Sequence, residues 1–206
     1  GGEAAGGIHG ANRTGGAALA DSYVFGLRSG IGAACESGDM ERPDPESGGW
    51  RERLSWLEER AEKAGGGNAD EIRKKVQHVG VVSIGQVRDG ARLKDALPML
   101  DELERENGEA AVVGDTPRKK WECVRRIMET GNLIQVARML ALAALEREES
   151  RGGHFRFDFP ELGGENWRCN IVLRMENKEI SVSKEPVPGE EEGKPLPSAP
   201  STAAMP

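Results

Sequence analysis

The chain has 206 residues, enough for one or two domains, and only 37% of them are apolar and 4% aromatic, which allows a modest helical core. Thirty-five acidic residues against 28 basic ones give a formal charge of −7, and no basic stripe with interleaved aromatics is present, so a nucleic-acid partner is not expected. No run approaches the roughly 20 apolar residues of a membrane span, which argues against direct membrane insertion, and Cys35, Cys123 and Cys169 form an odd, scattered set without a CxxC pair, which predicts reduced thiols and no metal site.

Residues 6–16 read GGIHGANRTGG, a loop of small residues around one fixed cation, Arg13, placed directly before a helix. Glycines let the backbone approach a ligand closely, and the free N–H groups and dipole of a helix start favour a negative or electron-rich group. The alternative is a glycine-rich turn with an arginine bonded to loop carbonyls. The helix itself is predicted over 17–34, with Leu19, Val24, Leu27 and Ile31 on a face to be buried and Gly26 and Gly30 as a notch. Residues 36–49, polar and with two prolines, read as a linker.

Trp50, Leu54, Leu57 and Ala61 share one face of a charged helix that stops at three glycines, 65–67. Ile72, Val76 and Val79 mark a second helix over 70–79, and Leu93, Leu97, Leu100 and Leu103 a third over about 91–106, with Pro98 predicted to kink it or delay its start. Thr116 and Pro117 are a helix start, and Gly131-Asn132 reads as a stop and a new cap, dividing the next stretch into two helices. In the second of these, Leu133, Val136, Ala137, Leu140, Ala141 and Ala144 form a core stripe. From Phe155 to Phe159 the period is two; 171–175 and 179–183 form a hairpin; from Glu185 on, proline and acidic content predicts disorder.

Two stretches carry a family resemblance. Gly2-Glu3, the GGIHGANRTGG loop and AALADSYVFG (17–26) resemble the flavin and dicarboxylate site of the succinate dehydrogenase/fumarate reductase flavoproteins, whose usual form is GE, a gap, then GGVHGANRLGGNSL and a helix. ALEREESRGGHFRFDFPELGGENW (144–167) resembles that family's C-terminal ESRGAH-x-R-x-DFP…NW signature, and 80–88 and 131–138 resemble its helical-domain segments. The resemblance covers about residues 1–184. It implies a C-terminal part of a longer flavoprotein, without the glycine-rich Rossmann turn that holds the FAD pyrophosphate.

The resemblance implies a mainly α fold: the C-terminal edge of an FAD-binding α/β domain (1–36), the linker (37–49), a helical-bundle domain (50–149), an extended segment and hairpin (150–184), and the tail (185–206). It implies FAD as cofactor, with Glu3 on the ribose and the backbone of Ala18 and Leu19 at the flavin ring. A dicarboxylate is the implied substrate, with Arg13 gripping one carboxylate and His9 either orienting substrate or holding the loop. Here Ala17-Ala18 stand where the family has Asn-Ser, and Thr14 stands for a common leucine. Arg151 and His154 match the second signature as a loop folded back on the flavin domain. No catalytic residue is implied within these 206 residues. An iron–sulfur protein is the implied electron-transfer partner, and the implied location is cytoplasmic or peripheral on the inner face of the cell membrane through partner subunits. Alternatives are an L-aspartate oxidase or adenylylsulfate reductase-like flavoenzyme, or a non-catalytic helical interaction module.

Overall fold

The computed structural model describes residues 9–12, 15–38, 40–41, 44, 49–62, 66–176 and 179–187. Five helices dominate: α1 (Ala17–Ser37), α2 (Trp50–Glu62), α3 (Ala69–Val79), α4 (Gly90–Glu109) and α5 (Pro117–Glu146). Two short pairs of strands complete the fold, β1 (Val87–Arg88) with β2 (Phe155–Arg156), and β3 (Cys169–Glu176) with β4 (Glu179–Pro186). The chain is thus mostly helical with a small sheet component.

The core lies among α3, α4 and α5, where Ile72, Val76 and Val79 meet Leu93, Leu100 and Leu103 and the inner face of α5, Ile127, Ile134, Ala137 and Ala141. The polar pairs around this core give the helix directions. Asn107 near the end of α4 donates to the Ile127 carbonyl, and Arg138 reaches back to Asp101 and Glu104, so α4 and α5 are antiparallel. Arg126 pairs with Asp70 and Arg73 with Glu129, so α3 runs parallel to α5. Capping agrees with the side chains at the boundaries: Asn68 accepts from the N–H of Asp70, Asp89 from those of Ala91 and Arg92, and Thr116 from that of Lys119. The predicted start at Thr116-Pro117 is therefore the observed one.

Three expectations are corrected. Helix α5 does not break at Gly131-Asn132 but runs for 30 residues. A mid-helix glycine costs only about 1 kcal/mol against alanine, and buried Ile127 and Ile134 on either side hold the turn in place. Asn107 of α4 packs against Gly131, with its Nδ2 3.4 Å from where a β-carbon would sit. The stripe on α5 is also rotated: Ile127, Ile134, Ala137, Ala141 and Ala144 are buried, while Val136 and Leu140 are exposed on its flank, where Leu140 lines a cavity with Ile171 and Val172 of the hairpin. In α2 only the C-terminal end is held: Trp50 and Leu54 are exposed, Ala61 is buried, and Arg60 donates to the Ala110 carbonyl at 2.7 Å. On α1, Leu19, Val24, Leu27 and Ile31 are all exposed, as expected of a helix whose apolar face packs on residues outside this chain.

Pro98 sits within α4 without ending it. The segment from Phe155 to Phe159 is a strand over only two residues, paired in parallel with β1. The hairpin is longer than its predicted strands, with Cys169 opposite Pro186 and Glu176 opposite Glu179; Glu185 and Pro186, read from composition as tail, belong to β4. The rest of the tail from residue 188 lies outside the described residues, as does most of the predicted linker. Among the described residues, no helix is long and apolar enough to cross a membrane.

Candidate substrate and cofactor site

The two motifs meet. The turn after α5 folds back on residues 9–12: the Gly153 N–H donates to the Ala11 carbonyl at 3.4 Å, and Gly152 adopts φ 58. A β-carbon at Gly152 would lie 2.3 Å from the Ala11 oxygen, so this approach requires glycine both for its dihedral and for its missing side chain. On the other side of the loop, His9 Nε2 lies 3.3 Å from Asp21 Oδ2 on the first turns of α1.

A dense set of charged bonds holds the turn. Glu149, 1% exposed, accepts from Arg147 at 2.5 Å, from Arg151 at 2.8 and 3.1 Å, and from the Gly163 N–H at 2.8 Å. Burial alone pushes its carboxyl up, but these donors together hold it below the usual carboxylate range. Arg156, 2% exposed, donates through Nη1 to the carbonyls of Ala144, Leu145 and Arg147 and closes the C-terminus of α5. Its other nitrogens grip Asp158 at 2.8 and 2.7 Å, and Asp158 in turn accepts from the Gly90 N–H at the start of α4. One guanidinium and one carboxylate thereby join the end of α5 to the beginning of α4.

His154 sits inside this network. A carbonyl only accepts and a guanidinium only donates, so Nε2 carries the proton toward the Arg147 carbonyl (3.1 Å) and Nδ1 accepts from Arg88 Nη1 (2.6 Å). Burial, and then the neighbouring Arg88, Arg156 and Arg147, hold the imidazole pKa below its ordinary value and keep the ring neutral. Arg88 likewise titrates lower than usual through burial and the nearby Arg156. Among the described residues, Arg151 bonds Glu149 and the Gly163 carbonyl, and His154 bonds Arg88 and the Arg147 carbonyl.

Of the residues singled out from sequence, His9, Ala18 and Leu19 are described, and Glu3 and Arg13 lie outside the described residues. His9 is on the loop contacted by Gly152 and Gly153, one residue before Gly10-Ala11-Asn12. Ala18 and Leu19 are on the first turn of α1, which follows Gly16 at φ 83, has no side-chain cap and carries no acidic residue there; Leu19 is 70% exposed. Sequence reasoning missed Asp21, Arg88, Glu149, Gly152 and Arg156. Of these, Glu149, Gly152 and Arg156 had a signal in their place inside the second signature, and Asp21 and Arg88 lie within other matched stretches, but as single charges on or beside helices the last two look like surface residues until the fold is seen.

A family model described as fumarate reductase flavoprotein C-term matches residues 73–199. The chain belongs to that family of flavoprotein oxidoreductases. An uncharacterized FAD-dependent oxidoreductase of Methanocaldococcus jannaschii is 36% identical over 175 residues, covering 84% of this chain and 30% of that protein. The fumarate reductase flavoprotein of Haemophilus influenzae is 30% identical over 190 residues, covering 89% of this chain and 31% of that protein. Among solved structures, Mycobacterium smegmatis Sdh1 in complex with UQ1 superimposes with a TM-score of 0.79 at 30% identity, over 90% of this chain and 31% of that one. The chain thus spans less than a third of the length of the relatives it matches.

Proposed function

We propose that this chain is the C-terminal part of an FAD-dependent flavoprotein that interconverts succinate and fumarate and passes electrons to an iron–sulfur partner. What supports the reading most is the docking of residues 9–12 on Gly152 and Gly153, which brings the two family motifs to one place beside Arg13 in sequence.

The start of α1 fits a flavin ring: free N–H groups after an uncapped Gly16, no carboxylate in the first turn to repel an electron-rich edge, and the exposed side chain of Leu19 beside them. When bound, FAD supplies hydride-transfer chemistry at the substrate carbon. The chain's own residues bind and orient. Ala18 and Leu19 present backbone N–H groups to the ring, and Glu3 accepts from the ribose hydroxyls. Arg13 grips a substrate carboxylate through two parallel hydrogen bonds, fixing the dicarboxylate over the ring and stabilising negative charge that builds toward that carboxylate. His9 holds the loop. The proton donor belongs to the rest of the flavoprotein, which also forms the α/β domain against which α1 packs and which contacts the iron–sulfur partner. The assembly is cytoplasmic or reaches the inner face of the membrane through partner subunits.

The test is Arg13→Lys in the complete flavoprotein. Lysine keeps the charge but loses the planar fork, so kcat/KM for fumarate falls by about 100-fold or more, with FAD content retained. Wild-type turnover in that variant overturns the assignment.

A further inference from the structure

Helix α1 reverses the usual order of burial. Its buried residue is an acid, Asp21 at 4% exposure, while Leu19, Tyr23, Val24 and Leu27 are more than half exposed. A carboxylate does not leave water unless something inside holds it. Asp21 Oδ2 is held by His9 Nε2 at 3.3 Å, and Oδ1 has no partner among the described residues. The acid is therefore turned toward the loop and away from solvent. Two residues further along that loop, Ala11 takes the second contact, from the Gly152-Gly153 turn.

We propose that Asp21 and Gly152 are positioning residues that grip residues 9–12 at His9 and at Ala11, in the loop to which the proposed function assigns substrate binding. The inference rests on the function proposed above. Gly10 and Ala11 offer almost no side chain for packing, so the loop cannot be held by apolar burial. A hydrogen-bonded carboxylate and a backbone contact are the means left to it. By accepting from Nε2, Asp21 also sets the face that the His9 ring presents. Gly152 acts by shape: a β-carbon there would push the Ala11 carbonyl away and carry the loop with it. Misplacing a substrate-orienting group by about 1 Å costs up to about 100-fold in rate.

In the complete flavoprotein, Asp21→Asn and Gly152→Ala should each lower kcat/KM for fumarate by about 10- to 100-fold, mainly through KM, with FAD content and Tm near wild type. Asp21→Glu should recover part of the loss, because it keeps the carboxylate. The double variant should lose less than the product of the single losses, since both residues hold one loop. If the variants fold and keep wild-type KM while Arg13→Lys is crippled, the positioning role is wrong; if Arg13→Lys is itself unaffected, the functional reading fails instead. A separate measurement does not depend on turnover. In the complete flavoprotein labelled with ¹⁵N-histidine, Asp21→Asn should move the His9 ring nitrogens, and with uniform labelling the amide signals of residues 10–12. Unchanged His9 signals in a variant whose remaining spectrum is that of the folded wild type would overturn the Asp21 grip.

Discussion

Arg156 stands at the most consequential point in the described structure: one guanidinium collects three carbonyls at the end of α5 and shares Asp158 with the first N–H of α4. A charge this deep survives because all three of its nitrogens donate, to Asp158 and to the helix-end carbonyls. The pairing has a pH signature. Hydrogen bonds from Arg156, aided by the Gly90 N–H, hold the Asp158 carboxyl at about 2 against 3.8 for a free one. The folded pKa is the lower, so the stability it confers is present above pH 3.8 and drains away as pH falls toward about 2. Urea melts of the wild type and Asp158→Asn at stepped pH check this. The gap between them should be constant above about pH 5 and close through that window; a gap independent of pH would refute it. Phe155, Phe157 and Phe159 alternate with Arg156 and Asp158, and in a half-buried strand such alternation ordinarily turns the apolar side chains inward. The structure does the opposite at Arg156 because unpaired helix-end carbonyls attract a cation more strongly than a short strand attracts phenylalanine, and period-two patterning carries no information about where a distant helix ends.

Among the elements, α3, α4 and α5 were legible because their apolar residues recur at helical spacing and their starts carry capping side chains. Leu93, Leu100 and Leu103 are where the pattern placed them, in the core. Leu100 has no exposed surface, and truncating it leaves a cavity that neighbours on three helices cannot all fill. Leu100→Ala should therefore cost about 2–5 kcal/mol in chemical denaturation, whereas Leu140→Ala, at an exposed site, should cost well under half of that. Equal losses at the two sites would contradict the observed rotation of the α5 stripe. Gly131 misled because glycine followed by asparagine is a common way to end a helix. What overrides it is the buried surface on both sides of the glycine and the α4 side chain resting on it, neither of which is local in sequence.

At the scale of the molecule, the core of α3–α5 is self-sufficient and α1 is not. The bundle buries its apolar face against itself, but α1 exposes Leu19, Val24, Leu27 and Ile31 and is tied to the rest through polar contacts of the preceding loop. Under the proposed function, these residues reach only the flavin ring and ribose, while a pyrophosphate cradle of the glycine-rich strand–turn–helix type does not occur in the sequence. The 206-residue chain alone should thus bind FAD weakly. Titration followed by flavin fluorescence should show no saturation at micromolar FAD, and stoichiometric micromolar binding would show that the site is complete in these residues.

The family, the helical character of residues 69–146 and the terminal hairpin follow from sequence alone, because motif identity, 3.6-residue periodicity and capping are local properties that a chain carries before it folds. That the second motif folds back on the first was expected, but its seat on Ala11 at Gly152, the burial of Asp21, and the use of Arg88, Glu149 and Arg156 as internal struts were decided only by the tertiary structure. Each of these joins residues far apart in sequence, and whether a charged side chain is solvated or buried depends on which unpaired carbonyls, N–H groups and opposite charges the fold brings to it.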